Sequence, residues 1–68
     1  LHIVNQIIED FRNGKRDFAD FWINMNGRLI YIRYFAVRDK EGRYLGTVEV
    51  TQDITDIKKI EGEKRLLD

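Results

Sequence analysis

The sequence predicts an α+β chain in which an N-terminal helix, a three-stranded antiparallel meander and a C-terminal helix follow one another. Three observations predict it. Apolar residues recur at helical spacing near the start of the chain. Runs rich in apolar and aromatic residues follow at 18–25, 28–38 and 43–53, with a turn signal between each and the next. The last run leads through Asp53-Ile54-Thr55 into a charged segment of helical character.

Residues 1–13 read as an amphipathic helix. Ile3, Val4, Ile7, Ile8 and Phe11 share one side of the wheel and His2, Asn5, Glu9 and Arg12 the other, with Gly14 placed to end it. After the polar connector Lys15 to Asp17, strand 18–25 closes on Asn26-Gly27, a pair that tolerates the positive φ of a type I′ turn. A two-residue loop fixes the register: Met25 opposes Arg28, Ile23 opposes Ile30, Trp22 opposes Tyr31, Phe21 opposes Ile32, and Asp20 faces Arg33 as a modest ion pair. Between strands 28–38 and 43–53, a four-residue loop Asp39-Lys40-Glu41-Gly42 sets Ala36 against Leu45, Tyr34 against Thr47 and Ile32 against Glu49, unless a bulge at Gly42 slips the ladder by one.

One sheet face then carries Phe21, Ile23, Ile30, Ile32, Tyr34, Ala36, Leu45, Thr47, Glu49 and Thr51. The other carries Phe18, Trp22, Leu29, Tyr31, Arg33, Phe35, Val37, Tyr44, Val48 and Val50. Both are apolar, and one good amphipathic helix covers one of them. A further segment, a ligand or a second copy is needed for the other, because large apolar patches seldom stay exposed. The final helix, about 56–66, places Ile57, Ile60, Lys64 and Leu67 at coiled-coil spacing, with Asp53 or Thr55 capping its N-terminus.

Composition excludes several classes. Sixty-eight residues make one domain at most, with a core that is marginal by itself. Twelve basic and twelve acidic residues cancel, so no net field attracts nucleic acid or an anionic membrane. No apolar run approaches the length of a membrane span, and a soluble cytoplasmic protein is the default. The absence of Cys removes disulfides and thiolate metal sites. Without a Gly-rich phosphate loop, any Ser, or a His beside a nucleophile, no catalytic residue is expected and the chain is read as non-enzymatic. The start, directly on a helical pattern without Met, suggests a piece cut from something longer.

The order helix, Gly14-Lys15-Arg16-Asp17, strand, turn, strand, Asp39-Lys40-Glu41-Gly42, strand, Asp53-Ile54-Thr55, helix resembles the C-terminal half of a PAS domain. Arg38-Asp39 with Gly42, Tyr44-Leu45-Gly46, and Asp53-Ile54-Thr55-Asp56-Ile57 with Glu61 are similar to that family's C-terminal motif, the PAC motif. Runs such as Phe21-Trp22-Ile23 and Tyr34-Phe35-Ala36-Val37-Arg38-Asp39 look most like the PAS-like region of bacterial and archaeal proteins of unknown function that often carry a hemerythrin-like domain. The resemblance implies a sensory module whose ligand lies between the sheet and helices of an N-terminal half that this sequence lacks.

On that resemblance Glu49, flanked by Thr47 and Thr51 and sharing parity with Tyr34, lies on the ligand-lining side; these four are the candidate ligand residues. Trp22, Tyr31, Phe35, Val48 and Val50 form the candidate interface, for a flanking helix or a homodimer. Asp53 and Thr55 are the expected relay from sheet to outgoing helix. Some PAS sensors hold haem through a helical histidine, but His2, on the polar side of its helix, favours solvent. Light-sensing flavin chemistry needs a cysteine that is absent, so no cofactor is expected. The rival reading is a ligand-free homodimerisation module.

Overall fold

A computed structural model describes residues 2–68. Helix α1 spans His2–Arg12, and strands β1 (Phe18–Met25), β2 (Arg28–Arg38) and β3 (Tyr44–Asp53) form one antiparallel sheet in the order β1-β2-β3. The expected α+β meander is present; Leu1 lies outside the described residues.

Helix α1 ends where glycine permits it. Gly14 adopts φ +72°, and the amides of Lys15 and Gly14 donate to the carbonyls of Asp10 and Phe11 at 2.9 and 3.3 Å, the paired bonds of a Schellman cap. The apolar stripe then packs on the sheet. Ile7 and Phe11 are buried against Ala19 and Tyr34, with Val4, Phe21, Ile32, Ala36 and Tyr44 around them. Phe11 is wholly enclosed. Ile3, at the open end of the stripe, remains largely exposed.

The first hairpin follows the sequence-derived register from Phe18 opposite Phe35 to Met25 opposite Arg28. Asn26 and Gly27 both have positive φ, at 52° and 79°, as a type I′ turn requires. Arg33 stands opposite Asp20, yet the expected ion pair does not form among the described residues. Asp20 instead accepts a hydrogen bond from the Tyr31 hydroxyl at 2.5 Å, while Arg33 donates to Gln52 at 2.5 Å and lies 5.1 Å over the Tyr31 ring.

The second hairpin is displaced by two residues. Ala36 opposes Thr47, Tyr34 opposes Glu49 and Ile32 opposes Thr51. Two causes add. Arg43 stays in the loop, because the Asp39 carboxylate accepts from the backbone amides of Glu41 and Arg43, each at 2.9 Å, and from Arg43 Nε at 2.7 Å. A register shift between Val37, opposite Gly46, and Arg38, opposite Tyr44, then leaves Leu45 unpaired as a bulge. A displacement by two preserves which side each later residue faces. Only Tyr44 and Leu45 trade places, with Tyr44 packing towards Phe11 and Leu45 in solvent.

The expected C-terminal helix 56–66 is replaced by one 3-10 turn, Ile57–Lys59. Its capping groups are engaged elsewhere. Asp53 accepts from Arg28 and from the Thr55 amide, and the Thr55 hydroxyl accepts from the Leu29 amide. Ile60 is extended and Gly62 has φ +69°, so the helical path stops. Ile57, Ile60, Leu66 and Leu67 are exposed, which removes the packing that short helices depend on. The result is a slab with principal extents of 46 × 31 × 14 Å.

Candidate functional site

The shifted register assembles the polar group on the helix-bearing face. Glu49 sits across from Tyr34, and Thr51 follows it on the same side of β3. Thr51 Oγ1 donates to Glu49 Oε2 at 2.7 Å. That bond, together with the neighbouring Tyr34 phenol, holds the Glu49 carboxyl below its ordinary range. Burial, reinforced by the adjacent Glu49 carboxylate, pushes the Tyr34 phenol up to about 12 and keeps it a neutral donor. Thr47 shares the face but not the cluster, since its hydroxyl pairs with that of Tyr44.

Helix α1 covers only part of this face. Ala19 and Tyr34 lie beneath it, whereas Glu49, Thr51, Ile23 and Asp53 are exposed beyond it. The uncovered part therefore combines a fixed carboxylate, a hydroxyl and an apolar strip of exposed Ile23 and half-buried Ile30, bordered by Phe21 and Ile32 at the edge of the core.

On the opposite face Trp22 packs edge-on against Tyr31 at 6.3 Å, and Phe18 meets Phe35 at 5.2 Å. Trp22 is 63% exposed and Val48 49%, with Phe35 also exposed and Val50 half-buried. Among the described residues nothing covers Trp22 and Val48, and the segment beyond β3 forms only the 3-10 turn Ile57–Lys59. Arg33, among them, keeps a buried Nε without a hydrogen-bond partner.

Asp53 and Thr55 cross back to the start of β2 rather than capping a helix. Arg28 Nε donates to Asp53 at 2.7 Å, Leu29 N–H to Thr55 Oγ1 at 2.8 Å, and Ile54 N–H to the Leu29 carbonyl at 2.9 Å. The Arg28 guanidinium first, then Thr55, draws the Asp53 carboxyl down to about 2. His2 is exposed, and no group of three or more His, Cys, Asp or Glu residues suited to a metal occurs among the described residues.

Two further residues fix the end of α1 against the sheet edge. Arg38 donates to the Phe11 carbonyl at 2.6 Å, to the Asp17 carboxylate at 2.8 Å and to the Gly42 carbonyl at 3.3 Å, tying the helix end to both loops at that edge. Asp10, buried in the helix, accepts from Gln6 at 2.8 Å and from Arg16 at 2.9 Å. Each had a sequence signal: Arg38 falls on the core-facing parity of β2, and Asp10 lies between Ile7 and Phe11 on the apolar stripe.

The described chain is thus one antiparallel α+β unit, a helix laid across one face of a three-stranded sheet and an acidic crossing after its last strand. The model of the PAS domain family matches residues 1–55, and the chain belongs to that family. It is also similar to the crystal structure of a C-terminal domain from Streptococcus mutans, with 34% identity and a TM-score of 0.76, over 88% of this chain and 46% of that one. The chain thus spans about half the length of that solved structure. No curated protein matches. No helix among the described residues is long and apolar enough to cross a membrane.

Proposed function

We propose that the chain is the ligand- or partner-responsive part of a cytoplasmic, non-enzymatic sensory PAS module that carries no cofactor of its own. Occupancy of the face holding Tyr34, Glu49 and Thr51 biases the sheet, and the Asp53 to Thr55 crossing passes the change to the segment beyond β3. Membership of the PAS family supports the class. The observation that carries the site is Glu49, an exposed carboxylate fixed by Thr51 on the part of the face that α1 leaves open. The runs Phe21-Trp22-Ile23 and Tyr34 to Asp39 support reading the chain as the PAS-like region of proteins that often carry a hemerythrin-like domain. A thermal-shift screen of small metabolites tests the reading. Compounds that stabilise the wild-type chain are expected to lose their effect on a Glu49→Gln, Thr51→Val variant, and equal shifts for both proteins would reject the site.

A second reading rests on the exposure of Trp22, Phe35 and Val48: the opposite face joins two copies of the chain. Sedimentation equilibrium would then show a dimer near twice the 8.2 kDa chain mass. Trp22→Ala or Phe35→Ala would return it to monomer, while Glu49→Gln would not; a concentration-independent monomer removes this reading.

A further inference from the structure

We infer that the ligand of the Glu49 face is a small organic cation, a primary amine on an apolar body, an inference that rests on the ligand-binding reading above. Glu49 takes part in no ion pair among the described residues, although it is ionised and held in place by Thr51. The face has cations of its own, but they are committed elsewhere. Arg28, at one end of β2, is shared between Asp53 and Asp56. Arg38, at the other end, is taken by Asp17 and by backbone carbonyls.

The surroundings of Glu49 set the rest of the ligand. Beside Thr51 the same face presents Ile32 and Phe21, and beyond them Ile30 and Ile23. A group lying on that strip would strip water from the carboxylate. An anion would be repelled there, and a neutral ligand would leave the carboxylate desolvated and unpaired. An ammonium satisfies it through a charge-assisted hydrogen bond, while the attached apolar body covers the isoleucines.

The test is a two-dimensional amide NMR titration of the chain with phenethylamine, 2-phenylethanol and 3-phenylpropionate. The amine is expected to move the amides of Ile30, Ile32, Glu49 and Thr51 and to bind about two- to fivefold more tightly than the alcohol, with the carboxylate weakest. Glu49→Gln should erase the difference between amine and alcohol, and Glu49→Lys should reverse the order of amine and carboxylate. Circular dichroism checks that these exposed substitutions leave the fold intact. Equal binding of amine and alcohol to the wild type, or a preference that survives Glu49→Gln, overturns the inference. If the alcohol or the carboxylate moves these amides and the amine does not, the cation falls while the ligand face stands. If no probe moves them at millimolar concentration, the amine inference falls and the ligand face is decided by the thermal-shift screen.

Discussion

Arg38 and Arg28 occupy the two ends of β2 on the same face of the sheet, and their surroundings differ in kind. Arg38 is four-fifths buried and gives its hydrogens mostly to backbone carbonyls, so it joins the end of α1, the entry to β1 and the β2–β3 loop at once. Arg28 is half exposed and pairs with the carboxylates of Asp53 and Asp56, which belong to the segment leaving the sheet. One end is held mainly by carbonyls, which cannot change charge, with a single carboxylate, Asp17, beside them; the other is held by carboxylates alone. The first contact joins helix, strand and loop; the second joins the segment leaving β3 to the start of β2.

Truncation at the Arg38 end should have the largest effect. Phe11→Ala removes the one wholly enclosed large side chain among the described residues and is expected to cost about 3–5 kcal/mol, which would unfold a core this small at room temperature, as urea titration followed by circular dichroism would show. Arg38→Met keeps the aliphatic stem but leaves the Phe11 carbonyl with only the 3.3 Å bond from the Gly14 amide and removes the ion pair to Asp17, and should cost about 2 kcal/mol; Arg38→Lys should recover only part of that in the same assay.

The open end should respond to acid. The Asp53 carboxyl titrates at about 2 in the folded chain, against an ordinary value of about 3.9 in the unfolded one. As the pH falls the unfolded chain takes up this proton first, so the stabilisation is complete above the ordinary value and is lost as pH drops towards 2. Asp39 and Glu49, also lowered, add to the same slope from elsewhere in the chain. Arg28→Gln should therefore flatten the acid limb of the stability curve without abolishing it, and an unchanged limb would mean that Asp53 does not depend on Arg28. The smallest effect is expected from deleting Leu45. Its removal leaves Gly46 against Val37 and Tyr44 against Arg38 as a continuous ladder, with a change below about 1 kcal/mol in the same denaturation experiment.

The two ends also differ in how plainly the sequence announced them. Asn26-Gly27 leaves a two-residue loop no slack, so the alternation of apolar residues placed every pair of the first hairpin. The second hairpin depends on the Asp39 carboxylate reaching Arg43, and on a bulge that exchanges Tyr44 for Leu45. Neither is written in apolar periodicity. The final segment had helical spacing, but the side chains that would have capped it bond to Arg28 and Leu29, roughly 25 residues earlier in the chain. Parity placed Tyr34, Glu49 and Thr51 on one face, while the pairing of Tyr34 with Glu49 needed the true register. Thr47 had the right parity but is drawn to Tyr44, a residue expected on the other side.

A slab 14 Å thick encloses little volume. Its accessible surface is 5823 Å², where a compact monomer of this mass would expose about 4,500 Å². Folding equilibrium and binding equilibrium are therefore close in scale. A partner present at about 100 times its dissociation constant adds roughly 2.7 kcal/mol to the folded state, a large share of what so small a core supplies. Any molecule that binds only the folded chain would therefore raise the fraction of molecules that are folded, and in so thin an architecture that change would be large enough to measure.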